Sequence, residues 1–261
     1  MNPLAKNYAS RNIRGKLRVC DYMRADSKLR EYVPRTVAFN RANLEMMTDR
    51  YSAVYVKPDV GSQGIGVCRV RKTEAGYELK TVEGKKQWKA AYETIEALYN
   101  RIVKLRRSKL IVQQGIGLDR VKGRPYDIRA MVQRKPGKSW ECTGYMVKVG
   151  GANKIVTNYY QGGAIYTLRR LEKERGLSSG EGKARKRMMT EVALRIASTL
   201  SARRSGMHEM GIDFAFDGAG RLWVLEVNSN HPQFHPLKQL APKMYYKMQE
   251  FAESYGRYSA K

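Results

Sequence analysis

The sequence predicts an α+β fold in which most strands pair as antiparallel hairpins. Short stretches rich in Val and Tyr alternate with turns that contain glycine, a pattern typical of hairpins. Other stretches carry apolar residues at i, i+3, i+4 and i+7, the spacing of one helical face. The last hairpin is the clearest, because the turn composition of residues 217–220 separates two apolar stretches.

These patterns divide the chain into a short basic segment and one main domain. Residues 1–35 predict a basic arm and a short helix near residues 20–31, and we expect residues 36–261 to form the main domain. In the main domain, apolar residues recur at helical spacing from Trp88 to Ile102, which predicts a helix that begins at Trp88. A second, basic helix is predicted over residues 182–204.

The composition excludes several classes of protein. No run of about eighteen apolar residues occurs, so no transmembrane helix is predicted. The first residues also lack the apolar core of a secretory signal. Cys20, Cys68 and Cys142 are far apart, which argues against a disulfide framework and against a zinc site. We therefore expect a soluble cytoplasmic protein with reduced thiols.

The charge balance is unusual. Fifty Lys and Arg residues against 24 Asp and Glu residues give a net charge of +26, which attracts anions. A polyanionic partner, such as nucleic acid, an acidic polymer or an anionic surface, would explain this excess. A basic surface that only keeps the protein soluble would explain it equally well.

The first candidate site is a lysine followed by a glycine-rich loop. Lys57 ends a predicted strand, and residues 58–66 follow with the sequence PDVGSQGIG. Glycines permit positive φ and close approach of the backbone, so successive N–H groups can face a phosphate, and the lysine adds a positive charge. No G-K-[ST] follows, so this is not a Walker loop. A plain glycine-rich hairpin is the alternative interpretation.

The second candidate site lies on the last hairpin. Asp213 is on one strand and Glu226 and Asn228 are on the other, so strand pairing can bring the two carboxylates side by side. Glu226 and Asn228 are two residues apart and share one face. Three oxygen ligands on one face suit Mg²⁺. The alternative is an edge strand with solvated acids, but the flanking Val224 and Val227 favour a cation.

A third group consists of charged residues on earlier strands. Asp127 and Arg129 flank Ile128 and therefore share one face of their strand. Arg129 could clamp a phosphate with two hydrogen bonds, and Lys148 on a later strand could bind the same anion. Taken singly, each of these residues is also consistent with a structural ion pair.

Together these motifs resemble the ATP-grasp superfamily over residues 51–232. The segments that carry the resemblance are the strand lysine, GSQGIG, IVQQ, DIR, NYYQGG and the final D-x12-E-x-N. The stretches YMRADSKLREYVPRT, DRYSAVYVKPDVGSQGIGVCRV and GRPYDIRAMVQRKPGKSWECTGYMVKVG are similar to the YheC/YheD group, which is associated with the endospore coat. The resemblance implies two α+β subdomains with antiparallel sheets that clasp a nucleotide. Residues 36–115 would be the glycine-loop subdomain and residues 116–261 the metal-binding subdomain.

The resemblance also implies ATP and Mg²⁺ as cofactors and assigns a role to each matching residue. The residues that would bind the phosphates are Lys57, Ser62, Gln63, Gly64 and Gly66. The residues that would recognise adenine are Gln113, Gln114 and the backbone of Ile116. Asp119 would contact the ribose. Arg129 would stabilise the γ-phosphate with Lys148 nearby, Asn158 would lie beside the reaction centre, and Asp213, Glu226 and Asn228 would bind two Mg²⁺ ions.

Two features depart from the superfamily pattern. Only about 35 residues precede the expected main domain, where ATP-grasp ligases usually carry a further domain of ordinary size. Some ligases also have an arginine two residues before the first metal-binding acid, and Gly211 occupies that position here. Both departures concern ligase activity, and neither removes the expectation of ATP binding.

Three functions remain open from the sequence. The first is an ATP-dependent carboxylate–amine or carboxylate–thiol ligase that forms an acylphosphate and has substrates of acidic character. The second is a non-enzymatic component of the spore coat that retains an ATP-binding fold. The third is a basic nucleic-acid-binding protein that uses the N-terminal arm and the helix carrying Lys183, Arg185, Lys186 and Arg187.

Overall fold

The computed structural model describes residues 6–61, 64–83, 86–106, 108–151 and 163–260, which form two antiparallel sheets with helices packed against them. In the first sheet the described strands are β1 (Thr36–Ala38), β2 (Val54–Pro58), β3 (Cys68–Thr73), β4 (Gly76–Glu83), β5 (Lys86–Tyr92) and β6 (Leu110–Gln114). Their order across the sheet is β1-β6-β2-β3-β4-β5. All of these strands precede residue 115.

Two helices pack on the first sheet, and each begins at a side-chain cap. The helix α2 (Arg41–Arg50) begins after Asn40, whose side chain accepts a hydrogen bond from the backbone N–H of Asn43 at 2.7 Å. The helix α3 (Ile95–Leu105) begins after Thr94, which caps it in the same way. The core of this half combines apolar residues of both helices and the sheet: Leu44, Met47, Val54, Val56, Val70, Leu79, Leu98, Ile102 and Val112.

The helix predicted to begin at Trp88 corresponds to α3, and its predicted start is wrong. Residues from Trp88 to Tyr92 belong to β5, which pairs with β4, and the helix begins only at Ile95. Trp88 and Tyr92 are four residues apart, so they share a face in a helix and also in a strand. The apolar spacing therefore did not distinguish the two structures, whereas the cap at Thr94 marks the boundary.

The second sheet contains the last hairpin. Its described strands are β7 (Arg120–Val121), β8 (Arg124–Gln133), β9 (Glu141–Val149), β10 (Ala164–Tyr166), β11 (Glu209–Phe216) and β12 (Leu222–Asn228). The order is β10-β9-β8-β11-β12, and β7 pairs with β8 at the side of this path. The central strands β8 and β11 place alternate residues on the two faces of the sheet.

One face of the second sheet is covered by three helices. These are α1 (Lys16–Ala25), α4 (Leu168–Arg175) and α5 (Ser179–Arg203), and a 3₁₀ turn (Arg30–Tyr32) follows α1. The α1 helix is earlier in the sequence than the predicted 20–31, and its Val19, Cys20 and Met23 enter the core of the second sheet. The N-terminal segment is thus packed into the half of the protein that follows residue 115.

The opposite face is covered only in part. The helices α6 (Leu237–Leu240) and α7 (Pro242–Glu253) cover the half near the start of β11, where Met131, Phe234 and Met248 are buried together. The other half of this face carries polar side chains of β8, β9, β11 and β12. In the part of the chain that is described, no helix combines the length and the apolar character needed to cross a membrane.

Candidate functional site

An ion-pair network lies on the polar half of the second sheet. Arg129 on β8 and Asp213 on β11 are directly opposite each other in the strand register. The Arg129 Nε and Nη2 atoms donate to the two carboxylate oxygens of Asp213 at 2.8 and 2.9 Å. Lys148 on β9 lies 3.1 Å from Asp213 Oδ2 and 2.7 Å from Asp127 Oδ1. Adjacent strands therefore bring two acids and two bases together.

The network holds Asp213 as a carboxylate. Burial alone would raise its pKa, but the positive charges of Arg129 and Lys148 outweigh burial and hold the pKa well below its ordinary value. The pKa of Arg129 shows the same balance: burial lowers it, but the charge of Asp213, its hydrogen bonds to Arg129 and the nearby acids together raise the pKa above its ordinary value. Asp213 is thus held ionised and in a fixed orientation by its two cationic neighbours.

The two remaining predicted metal ligands lie on the next strand. Asp213 pairs directly with Glu226, as the hairpin predicts, and Gly211 pairs with Asn228. A bulge follows Asp213, because Phe214 pairs with Val224 and leaves an extra residue on β12. The Asn228 Nδ2 atom donates to Asp213 Oδ2 at 3.3 Å, so these side chains meet on one face.

The donor set fits Mg²⁺ only in combination with other oxygen atoms. Among the described residues, no group of three or more His, Cys, Asp or Glu side chains is arranged to hold a metal. Asp213 and Glu226 provide two carboxylates, and Asn228 provides an amide oxygen once its side chain turns over. Mg²⁺ in nucleotide sites typically uses one or two carboxylates and completes its shell with phosphates and water, which matches these residues.

Lys57 lies on the first sheet and faces this acidic group. Its Nζ atom donates to Gln113 Oε1 at 2.7 Å, and Gln113 in turn donates to Thr36 Oγ1 at 3.1 Å. Burial lowers the pKa of Lys57, and the negative charge of Glu226 offsets part of that effect. The lysine of one sheet is therefore within electrostatic reach of the acid of the other sheet.

The glycine loop is described in part. Gly64 and Gly66 have φ of 68° and 76°, a region that favours glycine. The Arg106 Nε atom donates to the Gly66 carbonyl at 3.1 Å, and its Nη2 atom donates to Thr81 Oγ1 at 3.0 Å. Arg106 therefore ties the end of the loop to β4. The predicted loop ligands Ser62 and Gln63, and the predicted reaction-centre residue Asn158, lie outside the described residues.

A model of the YheC/D-like ATP-grasp family matches residues 6–258. The chain belongs to this ATP-grasp family. It is 25% identical to the endospore coat-associated protein YheD of Bacillus subtilis (strain 168) over 239 residues, which cover 87% of this chain and 52% of YheD. It is 19% identical to the endospore coat-associated protein YheC of the same organism over 229 residues, which cover 85% of this chain and 61% of YheC.

Solved structures agree with the family assignment at the level of the fold. The ATP-grasp ligase PsnB, complexed with a minimal precursor, matches with a TM-score of 0.50 at 14% identity, covering 90% of this chain and 60% of PsnB. The predicted ATP-grasp fold is therefore confirmed. This ATP-grasp chain spans about half the length of YheD and 60% of the length of PsnB.

Three predicted nucleotide contacts lie around the junction of the two ATP-grasp sheets. Gln114 ends β6, and its side-chain oxygen accepts from the backbone N–H of Arg35 at 3.2 Å. Ile116 is half-buried in the connection to the second sheet. Asp119 accepts from the Tyr126 hydroxyl at 2.9 Å and pairs with Arg175 at 2.9 Å. Tyr126 lies in the helix-covered core, so the Asp119 carboxylate faces away from Asp213.

The sequence reasoning missed Lys16, which joins the two halves of the ATP-grasp site. Its Nζ atom donates to the Gly61 carbonyl at 2.8 Å and lies 3.4 Å from Glu226 Oε1. The glycine loop and the acidic hairpin therefore meet at one ammonium group. Lys16 is one of many basic residues near the N-terminus, so no local pattern distinguished it. Arg106 was missed because it is one of several basic residues at the end of α3.

Gly211 has a steric explanation within the ATP-grasp site. A Cβ atom at this position would lie 2.8 Å from Pro232 Cβ and 3.3 Å from Arg129 Cδ. The space that a side chain would need is filled by the Arg129 chain, which crosses above Gly211 to reach Asp213. The guanidinium at this site therefore comes from β8 and not from β11.

Proposed function

We propose that this chain binds Mg-ATP between its two sheets and uses it as an ATP-dependent carboxylate–amine or carboxylate–thiol ligase. The observation that carries the proposal is the meeting of the glycine loop and the acidic hairpin at Lys16, which lies 2.8 Å from the Gly61 carbonyl and 3.4 Å from Glu226. A phosphate cradle and a metal-binding group are useful to a triphosphate only when they are this close. Residues 36–115 and 116–261 would then be the two subdomains that clasp the nucleotide.

The charges around the site suit a triphosphate with its metal. Lys16, Lys57, Arg129 and Lys148 supply four positive charges, and Asp127, Asp213 and Glu226 supply three negative ones. Lys57 and the loop N–H groups would hold the phosphates, and Asp213, Glu226 and Asn228 would hold Mg²⁺. Bound Mg²⁺ would neutralise charge on the β- and γ-phosphate oxygens.

Acyl activation by ATP needs no side-chain nucleophile. A carboxylate oxygen of the substrate forms a bond to the γ-phosphorus while the bond from that phosphorus to the β,γ-bridging oxygen breaks, and ADP leaves. An amine then forms a bond to the acyl carbon, phosphate leaves with the bonding electrons, and the amine proton passes to solvent. The protein contributes positioning and charge neutralisation, which the residues around Asp213 provide.

Association with the spore coat is a second proposal. The curated relatives YheD and YheC carry the description "endospore coat-associated". A coat role is compatible with ATP binding, and it is the leading alternative if the chain binds ATP but catalyses no ligation. The net charge of +26 would suit acidic substrates or an acidic coat component in either case.

The metal assignment is tested by the substitution Glu226→Gln. Mg-ATP affinity, measured by isothermal titration calorimetry, should fall by at least about tenfold, because Mg²⁺ loses one of its carboxylates. The free energy of unfolding should change by less than about 1 kcal/mol, since the pair with Lys16 is partly exposed. The control is Glu74→Gln in the exposed turn between β3 and β4. Unchanged Mg-ATP affinity in Glu226→Gln would remove the metal assignment.

Ligase activity is tested separately from binding. We expect ADP release from Mg-ATP to rise when pools of carboxylates and amines are added together, and Glu226→Gln to abolish that rise. A protein that binds Mg-ATP but releases no ADP with any pool would favour the coat-component proposal. Binding of RNA that weakens steeply with salt, without nucleotide binding, would favour the nucleic-acid alternative.

A further inference from the structure

Residues 12–17 connect the two sides of the candidate site. The Asn12 side chain donates to Asn230 Oδ1 at 2.8 Å, and the Ile13 backbone N–H donates to Ser229 Oγ at 3.1 Å. Ser229 and Asn230 directly follow the metal-candidate strand β12. This end of the segment is therefore attached to the acidic hairpin.

The other end of the segment is attached to the glycine loop. The Lys16 backbone N–H donates to the Asp59 carbonyl at 2.9 Å, and the Leu17 N–H donates to Asp59 Oδ1 at 2.9 Å. Gly15 has φ of 96°, and a Cβ there would lie 3.0 Å from Asp59 Oδ2. The first turn of α1 is thus held at a defined place beside residues 59–61.

These attachments aim the Lys16 side chain at the point where the loop and the hairpin meet. The side chain is 19% exposed, so its ammonium is partly removed from water and needs an anionic partner. In the structure that partner is Glu226. If Mg²⁺ takes the Glu226 carboxylate, the ammonium needs another anion within its reach.

We propose that Lys16 binds the γ-phosphate of ATP directly. The inference rests on the proposed function, because it requires Mg²⁺ at Glu226 and phosphates at the glycine loop. Lys16 would exchange Glu226 for a γ-phosphate oxygen when Mg-ATP binds, and it would keep the Gly61 carbonyl as its second partner. The residues before the first sheet would then supply part of the nucleotide site directly.

The test compares ATP with ADP in the variant Lys16→Met. We expect Mg-ATP affinity, measured by calorimetry, to fall by about tenfold or more, and Mg-ADP affinity to fall by less than about threefold, because ADP lacks the γ-phosphate. Lys243→Met is the matched control, since Lys243 is an exposed lysine in the first turn of α7. It removes the same charge from the whole protein and should leave both affinities unchanged.

The other outcomes overturn the proposal in distinguishable ways. Equal losses of ATP and ADP affinity in Lys16→Met would mean that Lys16 only stabilises the local structure. Tighter ATP binding by the variant would mean that Lys16 competes with Mg²⁺ for Glu226. If the unsubstituted chain binds neither nucleotide, the proposed function fails, and the role of Lys16 fails with it. If the unsubstituted chain binds both nucleotides, but Lys16→Met does not weaken ATP binding more than ADP binding, only the Lys16 proposal fails.

A second measurement needs no variant. Lysines of the unsubstituted protein are acetylated with acetic anhydride in the presence of Mg-ATP or Mg-ADP, and the rate at each lysine is read by mass spectrometry. We expect Mg-ATP to slow modification of Lys16 by about threefold or more relative to Mg-ADP, since a phosphate-bound ammonium does not react. Lys243 should be modified equally in both. Equal rates at Lys16 would contradict the proposal even if Lys16→Met did not fold.

Discussion

Two carboxylates on the same face of β11 have opposite surroundings. Glu209 begins the strand and is fully buried, with Lys6 at 3.0 Å, Arg257 at 2.5 Å and the Tyr255 hydroxyl at 3.2 Å. Asp213, four residues later, is also bound by cations, but its neighbours Glu226 and Lys148 are partly exposed. The cluster around Glu209 is closed to solvent, whereas the cluster around Asp213 is bordered by partly exposed side chains.

The difference arises from what covers the sheet. Residues near both ends of the chain, including Lys6, Tyr8 and Arg257, close over Glu209 together with α7. Beside Asp213, the neighbouring Glu226 pairs with Lys16, which also binds the Gly61 carbonyl, and both of these side chains are partly exposed. A buried ion pair by itself is therefore no sign of a functional site.

The closed cluster should give the largest effect on stability. In Glu209→Gln, Lys6 and Arg257 remain buried without a counter-charge, so we expect a loss of about 3–5 kcal/mol in the free energy of unfolding. The measurement is urea denaturation, with the exposed Glu253→Gln on α7 as control. A loss below about 1 kcal/mol would show that the Glu209 cluster stabilises the fold no more than an exposed ion pair does.

The packing of Gly211 beside Asp213 should have a smaller effect on the free energy of unfolding. In Gly211→Ala, the new methyl group would clash with Pro232 and displace Arg129, so we expect a loss of about 1–3 kcal/mol. Mg-ATP affinity should also fall, because Arg129 would no longer orient Asp213. Gly218→Ala is the control, since a Cβ there meets no atom within 4 Å. If Gly211→Ala unfolds at the same urea concentration as the control, the close packing at this site is not stabilising.

The smallest expected effect is a difference in how the free energy of unfolding of the unsubstituted protein and of Glu209→Gln depends on pH. The pKa of Glu209 lies below its ordinary value, because Arg257 and Lys6 together outweigh burial. A lowered folded pKa adds stability that is present above the unfolded pKa and lost as pH falls through the folded pKa. Below pH 4.5 the unsubstituted protein should therefore lose stability faster than Glu209→Gln, by at most about 1.4 kcal/mol per pH unit.

The acid measurement is a series of urea midpoints between pH 6 and pH 3. Asp213 has a lowered pKa in both proteins, so a common loss of stability should remain in the variant. Parallel curves for the two proteins would mean that Glu209 has the same affinity for protons in the folded and unfolded states.

Several parts of the candidate site were predictable because they depend on near neighbours in the chain. The pairing of Asp213 with Glu226 follows from a short turn, in which the Asp217 side chain accepts from the backbone N–H groups of Ala219 and Arg221. The side-chain period of two then places Asn228 beside them. The same locality explains why the spacing after Trp88 was misleading, since residues four apart share a face in a helix and in a strand.

By itself the sequence determined the hairpins, the acidic hairpin register, the glycine loop and the family, since each depends on short-range pattern or similarity. Only the tertiary structure decided that Lys16 joins the loop to Glu226, that Arg106 ties Gly66 to β4, and that Glu209 is fully buried while Glu226 and Lys148 beside Asp213 are partly exposed. These contacts link residues far apart in the chain. They depend on which of many similar basic residues comes near an acid in space, and a periodic pattern carries no information about that.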